Sequence, residues 1–246
     1  MTSLILGVVI GATVGLTGAG GALIAIPLFM HFLALDFKHA SLLSLVAVMM
    51  AAGLNLINQR SQVKWSVVAP IVLASIAGSL AGIGLKSYLP ELALLLLLAS
   101  ISLYALYAVW NSTLTADLGP REISFWWGGL IGFTLGVLTT LTGLGGGVLM
   151  VPIMLQLYRL SMQQAVATGL AATGLSALLS FLFQFSSTGL PISLSITLRL
   201  ALGIAGSALL LHLLLAKLPR PLLQRVRQIV LTAVVVFALG RLFVWQ

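Results

Sequence analysis

A threonine and glycine, one spacer residue and a glycine pair occur twice in this chain. Thr17, Gly18, Gly20 and Gly21 lie in "LTGAGGALIAIP", which starts at residue 16; Thr142, Gly143, Gly145 and Gly146, extended by Gly147, lie in "LTGLGGGVLMVP", which starts at residue 141. Both copies sit in apolar surroundings that otherwise favour continuous helix. Each glycine in a helix interior costs about 1 kcal/mol relative to alanine, so three or four together predict an interruption. A break inside an apolar segment frees backbone N–H groups and creates a helix N-terminus carrying partial positive charge. Glycine also lets a ligand approach the backbone, and the threonine adds a hydroxyl. These are the parts of an anion site. The plainer reading of glycine in apolar helices is close packing, and Gly7, Gly11 and Gly15, spaced by four, fit that reading.

Few other residues could bear chemistry. The four acids are Asp36, Glu91, Asp117 and Glu122, all at segment ends or in connectors, so no carboxylate is expected mid-span as a proton relay. Neither H-E-x-x-H nor G-x-S-x-G occurs, and no enzymatic activity is expected. Cysteine is absent, and His31, His39 and His212 show no ligand spacing, so neither metal nor cofactor is expected. Arg199, about six residues into an apolar segment, is either a counter-charge for an anion or a side chain snorkelling to the interface. Asn55 and Gln184 fall near the ends of two segments and could line a vestibule or cap helices. Thr168, Thr173 and Ser176 could meet a solute or bond neighbouring backbone. The five tryptophans fall at predicted span ends, as an interfacial aromatic belt would.

The elements that must position these residues are membrane helices. Of 246 residues 60% are apolar and 7% charged, with mean hydropathy +1.18, too little polar surface to coat a soluble globule. The apolar runs are continuous rather than alternating, which predicts an all-α polytopic integral membrane protein rather than a barrel. The net charge of +8 is scattered among loops, as membrane topology requires, and forms no nucleic-acid patch. The first segment is too long for a secretory signal and lacks its basic and cleavage regions, so it is expected to stay. Eight hydrophobic segments are predicted: Leu4–Leu35, His39–Asn58, Trp65–Tyr88, Glu91–Asn111, Ser124–Leu157, Met162–Ser186, Ser193–Ala216 and Leu222–Val244.

A polar connector over 112–123 separates an N-terminal unit, 1–111, from a C-terminal unit, 124–246. "IAGS" at 76–79 recurs at 204–207 and "LP" at 89–90 recurs at 218–219, in the same order as the glycine clusters. The two units therefore read as homologous halves, an architecture common in secondary transporters. Segments one and five exceed one crossing, and each either spans fully or folds back at its glycine cluster as a re-entrant hairpin. Full spans put Lys38, Lys86, Arg159, Lys217, Arg220, Arg225 and Arg227 opposite Arg60, Lys64, Arg121 and Arg241. Hairpins put Arg60, Lys64, Arg121, Arg159, Lys217, Arg220, Arg225 and Arg227 opposite Lys38, Lys86 and Arg241. Both distributions satisfy the positive-inside rule, so charge leaves the choice open.

"GLTGAGGALIAIPLF" and "TLTGLGGGVLMVPIM", each opening one half of an eight-segment chain, resemble the sulfite exporter TauE/SafE family. The resemblance covers nearly the whole chain and implies a transporter of small sulfur-containing or organic anions in the bacterial cytoplasmic membrane. It implies a small anionic partner and the lipid bilayer; oligomeric state stays open. The first copy departs from the second at Ala22, against Gly147, and the following stretch has Leu43 where its counterpart keeps Thr168, so half one is expected to offer fewer polar contacts. Export of an anion from a negative-inside cell gains about 2.3 kcal/mol per charge per 100 mV and needs no coupling carboxylate. Ion-coupled uptake and a non-transporting membrane scaffold are the alternatives.

Overall fold

The apolar segments become helices whose ends follow local chemistry. The computed structural model describes residues 2–17, 21–57, 59–110, 124–188, 194–215 and Thr232. Its helices are α1 (Thr2–Thr17), α2 (Gly21–Phe32), α3 (Phe37–Ile57), α4 (Trp65–Tyr88), α5 (Glu91–Trp110), α6 (Phe125–Thr142), α7 (Gly147–Gln156), α8 (Met162–Thr188) and α9 (Leu194–Leu215). No strand occurs among the described residues. Four helices, α3, α4, α6 and most of α8, are long and apolar enough to cross a bilayer. The chain is an all-helical polytopic membrane protein, as its composition predicts. The connector 112–123 and the eighth segment, Leu222–Val244 apart from Thr232, lie outside the described residues.

Polar residues cluster at helix ends. α4 stops before Pro90, whose ring cannot continue the helical hydrogen bonding. α3 opens with the Phe37 amide donating to Glu91 Oε1 at 3.0 Å, so a carboxylate from the first turn of α5 sits on the positive end of α3. Asp36, just before α3, also contacts the imidazole of His39.

Small residues set the helix packing. On α6, a Cβ added at Gly132 would lie 2.1 Å from the Ile71 carbonyl oxygen of α4, and one at Gly136 would lie 2.4 Å from that of Ser75. On α1, a Cβ at Gly7 would lie 2.5 Å from the Leu200 carbonyl oxygen of α9, and one at Gly11 2.3 Å from that of Ile204. No side chain larger than hydrogen fits at these four positions. The correspondence is regular: Gly7 and Gly11 precede Gly132 and Gly136 by 125, while Ile71 and Ser75 precede Leu200 and Ile204 by 129. α3 and α8 pack on each other between these two pairs, α8 against α4 and α3 against α9.

The contacts also give direction. Pro70, Ile71, Ser75 and Gly82 of α4 meet Gly128, Gly132, Gly136 and Thr140 of α6, so the two helices run parallel. Trp65, Trp126 and Trp127 therefore mark one end of the bundle, and all three are exposed. At the end of α7 the chain returns to this same end: the Tyr158 hydroxyl lies 3.3 Å from a Cβ position on Gly128, in the first turn of α6. Segment five is thus a hairpin, with α6 ascending and α7 descending. Of the two sequence-level topologies, this is the re-entrant one for the second half. It places Arg60, Lys64 and Arg159 at the tryptophan end and Lys38 and Lys86 at the other.

Candidate functional site

The tip of that hairpin is built from left-handed glycines. α6 ends at Gly143 (φ +72°), Leu144 follows, and Gly145 (φ +68°) and Gly146 (φ +70°) lead into α7. An L-residue with a side chain pays about 1–2 kcal/mol for this conformation, whereas glycine does not. The turn is completely buried from Leu141 to Gly147. It is pressed against α3: Cβ positions on Gly143 and Gly145 would fall 2.5 Å from the Ser41 carbonyl oxygen and 2.3 Å from Val48 Cγ1. Ser44 Oγ donates to the Gly143 carbonyl at 2.8 Å. Thr142 serves the turn itself, its Oγ1 donating to Leu138 O at 2.7 Å and accepting from the Leu144 amide at 3.4 Å.

What the turn leaves open is a set of donors. The first two bonds into α7, from Leu149 and Met150, both end on the Gly146 carbonyl. Among the described residues the N–H groups of Gly145, Gly146 and Gly147 have no acceptor. Thr139 Oγ1, buried and without a hydrogen bond, lies 3.4 Å from the Cβ position of Gly146. Buried backbone donors away from water are normally paired, so this cluster is suited to an acceptor that the chain does not supply.

A polar seam runs from the turn along the interface of α4 and α8. Thr140 Oγ1 donates to Ser180 Oγ at 3.4 Å, and Ser180 and Ser79 share a hydrogen bond of 2.7 Å. One turn away Ser176 Oγ donates to Ser75 Oγ at 3.0 Å. At the tryptophan end the Lys64 amide donates to Thr168 Oγ1 at 3.1 Å. At the other end Lys86 Nζ donates to Ser41 Oγ at 2.6 Å and Gln184 Oε1 at 2.9 Å. Thr168, Ser176, Ser180 and Gln184 follow one another along α8 over about 24 Å of helix, a stripe that drifts about 40° around the helix with every four residues.

The structure brings together only part of the set that the sequence suggests. Thr142, Gly143, Gly145, Gly146, Gly147 and Gln184 lie in the turn and the adjoining seam, while Thr168 lies at the seam's far end. Asn55 bonds its own helix, with Nδ2 donating to Ala51 O at 2.8 Å, an end-of-helix role. Arg199 is exposed on α9, away from the turn, as a snorkelling side chain would be. Gly18 and Gly20 lie outside the described residues; Thr17 and Gly21 are the last residue of α1 and the first of α2.

From its place at the end of a segment Lys86 reads as one of the loop charges, but its side chain is turned inward. It is only 6% exposed. A signal was available, because Ser75, Gly78, Ser79, Gly82 and Lys86 are spaced by three and four and form the buried face of α4.

A family model for the sulfite exporter TauE/SafE family matches residues 3–239. The chain belongs to this family. Membership makes it a membrane transporter of the group that handles sulfite and related anions, in agreement with its apolar helices. No curated protein and no solved structure matches it.

Proposed function

We propose that this protein exports small sulfur oxyanions or related organic anions across the bacterial cytoplasmic membrane, binding them at the Gly143–Gly147 turn. The carrying observation is the buried turn itself, with three left-handed glycines and open amides leading into α7 and the unpartnered Thr139 hydroxyl of α6 beside them. Helix N-termini favour anions, and exclusion of water strengthens the attraction. The positive-inside rule makes the Arg60, Lys64 and Arg159 end cytoplasmic. An anion leaving toward the Lys86 end then moves down the membrane potential, which is worth about 2.3 kcal/mol per charge per 100 mV and supplies the driving force without ion coupling.

The regular offsets in the α1–α9 and α4–α6 contacts support reading 1–111 and 124–246 as duplicated halves with inverted topology. On that reading Thr17, Gly18, Gly20 and Gly21 are the corresponding site residues of the first half. The protein acts by binding and conformational change and carries out no bond chemistry. The test is sulfite efflux from proteoliposomes under an imposed potential. Thr139→Val keeps shape and removes the hydroxyl, and a lost hydrogen bond to a charged solute weakens binding by about 1.5–3 kcal/mol, or roughly tenfold to a hundredfold. Efflux unchanged in Thr139→Val and in Gly145→Val would sink this site.

A further inference from the structure

We infer that Lys86 is the counter-charge of the transported anion. The inference rests on the transport reading above and names a residue for it.

Lys86 occupies an unusual position for a lysine. It lies within a membrane-spanning helix, turned inward between α3 and α8, and its two hydrogen-bond partners, Ser41 Oγ and Gln184 Oε1, are both neutral. An ammonium has three N–H groups, so one donor is left over. Among the described residues it forms no ion pair. The charged groups that act on it are Lys38 and Asp36, one of each sign, and Asp36 is in contact with His39. Burying a cation without an anion is strongly unfavourable, and intramembrane charges are retained where they meet a substrate or a partner.

The surrounding contacts hold the ammonium in place next to the glycine turn. Ser41 Oγ donates its own proton to Lys38 O at 2.8 Å, which turns its lone pairs toward Lys86. The backbone of the same serine is packed on Gly143, with its Cα 2.8 Å from the Cβ position there. The full positive charge and the partial charge of the α7 N-terminus thus flank one buried turn. An oxyanion received there takes the third ammonium proton on one oxygen and the open amides on another. Two features together select for charge and for more than one acceptor oxygen, which sulfite and sulfonates share.

The test uses the full-length protein in nanodiscs. Wild type is expected to melt at higher temperature with sulfite or methanesulfonate, and not with dimethyl sulfone, the neutral molecule of similar shape. In Lys86→Met and Lys86→Gln both anion shifts disappear and sulfite efflux falls at least tenfold. The ligand-free variants melt at or above the wild-type temperature, because an uncompensated buried charge has been removed. Lys86→Arg retains part of the efflux. Two results overturn the assignment: anion shifts that persist in both neutral variants, or a wild-type response to dimethyl sulfone equal to that to methanesulfonate. Ligand-free variants that melt well below wild type but keep their anion shifts would make Lys86 a structural tie, which also overturns it. If wild type transports sulfite and Thr139→Val is impaired while Lys86→Met and Lys86→Gln are not, the lysine fails and the turn site stands. A wild-type protein that neither shifts nor transports ends both readings.

Discussion

Two seams flank the central α3–α8 pair, and they share a backbone frame while differing in chemistry. Between α4 and α8 the contacts are hydroxyl to hydroxyl: Ser75 with Ser176, and Ser79 with Ser180. Between α9 and α3 the residues in the same contact register, offset by 129 on one helix and 125 on the other, include Ile204 for Ser75 and Ala51 for Ser176. Leu43, Ala51, Leu200 and Ile204 belong to one apolar cluster. The outer helices are seated alike in both places, by Gly132 and Gly136 on one side and by Gly7 and Gly11 on the other. Tight packing is therefore common to both seams and marks no site. Among the described residues, hydroxyl pairs cross the seam between α4 and α8, and that seam ends at a buried lysine and an unwound turn.

Loss of transport in the lysine variants is the largest effect expected. Next come the steric twins. Gly136→Ala and Gly11→Ala each force a Cβ into a carbonyl oxygen about equally, so both are expected to lose a similar stability of about 1–3 kcal/mol, read as melting temperature in detergent. Markedly unequal losses would show that the two frames are not equivalent. Gly143→Ala tests the turn alone. With φ at +72° and the Ser41 carbonyl oxygen 2.5 Å from the new Cβ, a loss of at least about 1–2 kcal/mol is expected; no change in melting would contradict the turn geometry. Smallest is the coupling of Ser75 to Ser176. A double-mutant cycle with alanine is expected to give about 0.6 kcal/mol, the usual size for an interhelical hydrogen bond in a membrane, and a coupling near zero would show that the two hydroxyls do not tie the helices.

Much of this architecture is legible in the sequence, because it depends on properties local to each segment. Hydropathy gives α4 its observed limits, Trp65–Tyr88, and places the other described helices within a few residues of their observed ends; Pro90 and the glycine clusters supply the interruptions. Gly143, Gly145 and Gly146 are recognisable in advance because only glycine adopts left-handed backbone without strain. What is not legible is whatever depends on distant neighbours. Loop charges satisfy both topologies for segment five; the hairpin is decided by Tyr158 reaching Gly128, thirty positions back. Arg199 draws notice for standing inside an apolar run, yet its side chain turns outward. Lys86, near a segment end, turns inward onto Ser41 and Gln184, which lie 45 and 98 positions away.

Selenite, a heavier analogue of sulfite, offers the most direct measurement, because its anomalous scattering locates a bound oxyanion without interpretation of helices. A crystal of the protein soaked in selenite is expected to show one dominant selenium peak within hydrogen-bonding range of Lys86 Nζ or the Gly145–Gly147 amides. A dominant peak in the α3–α9 seam, or none at a concentration that blocks sulfite efflux, would contradict the account.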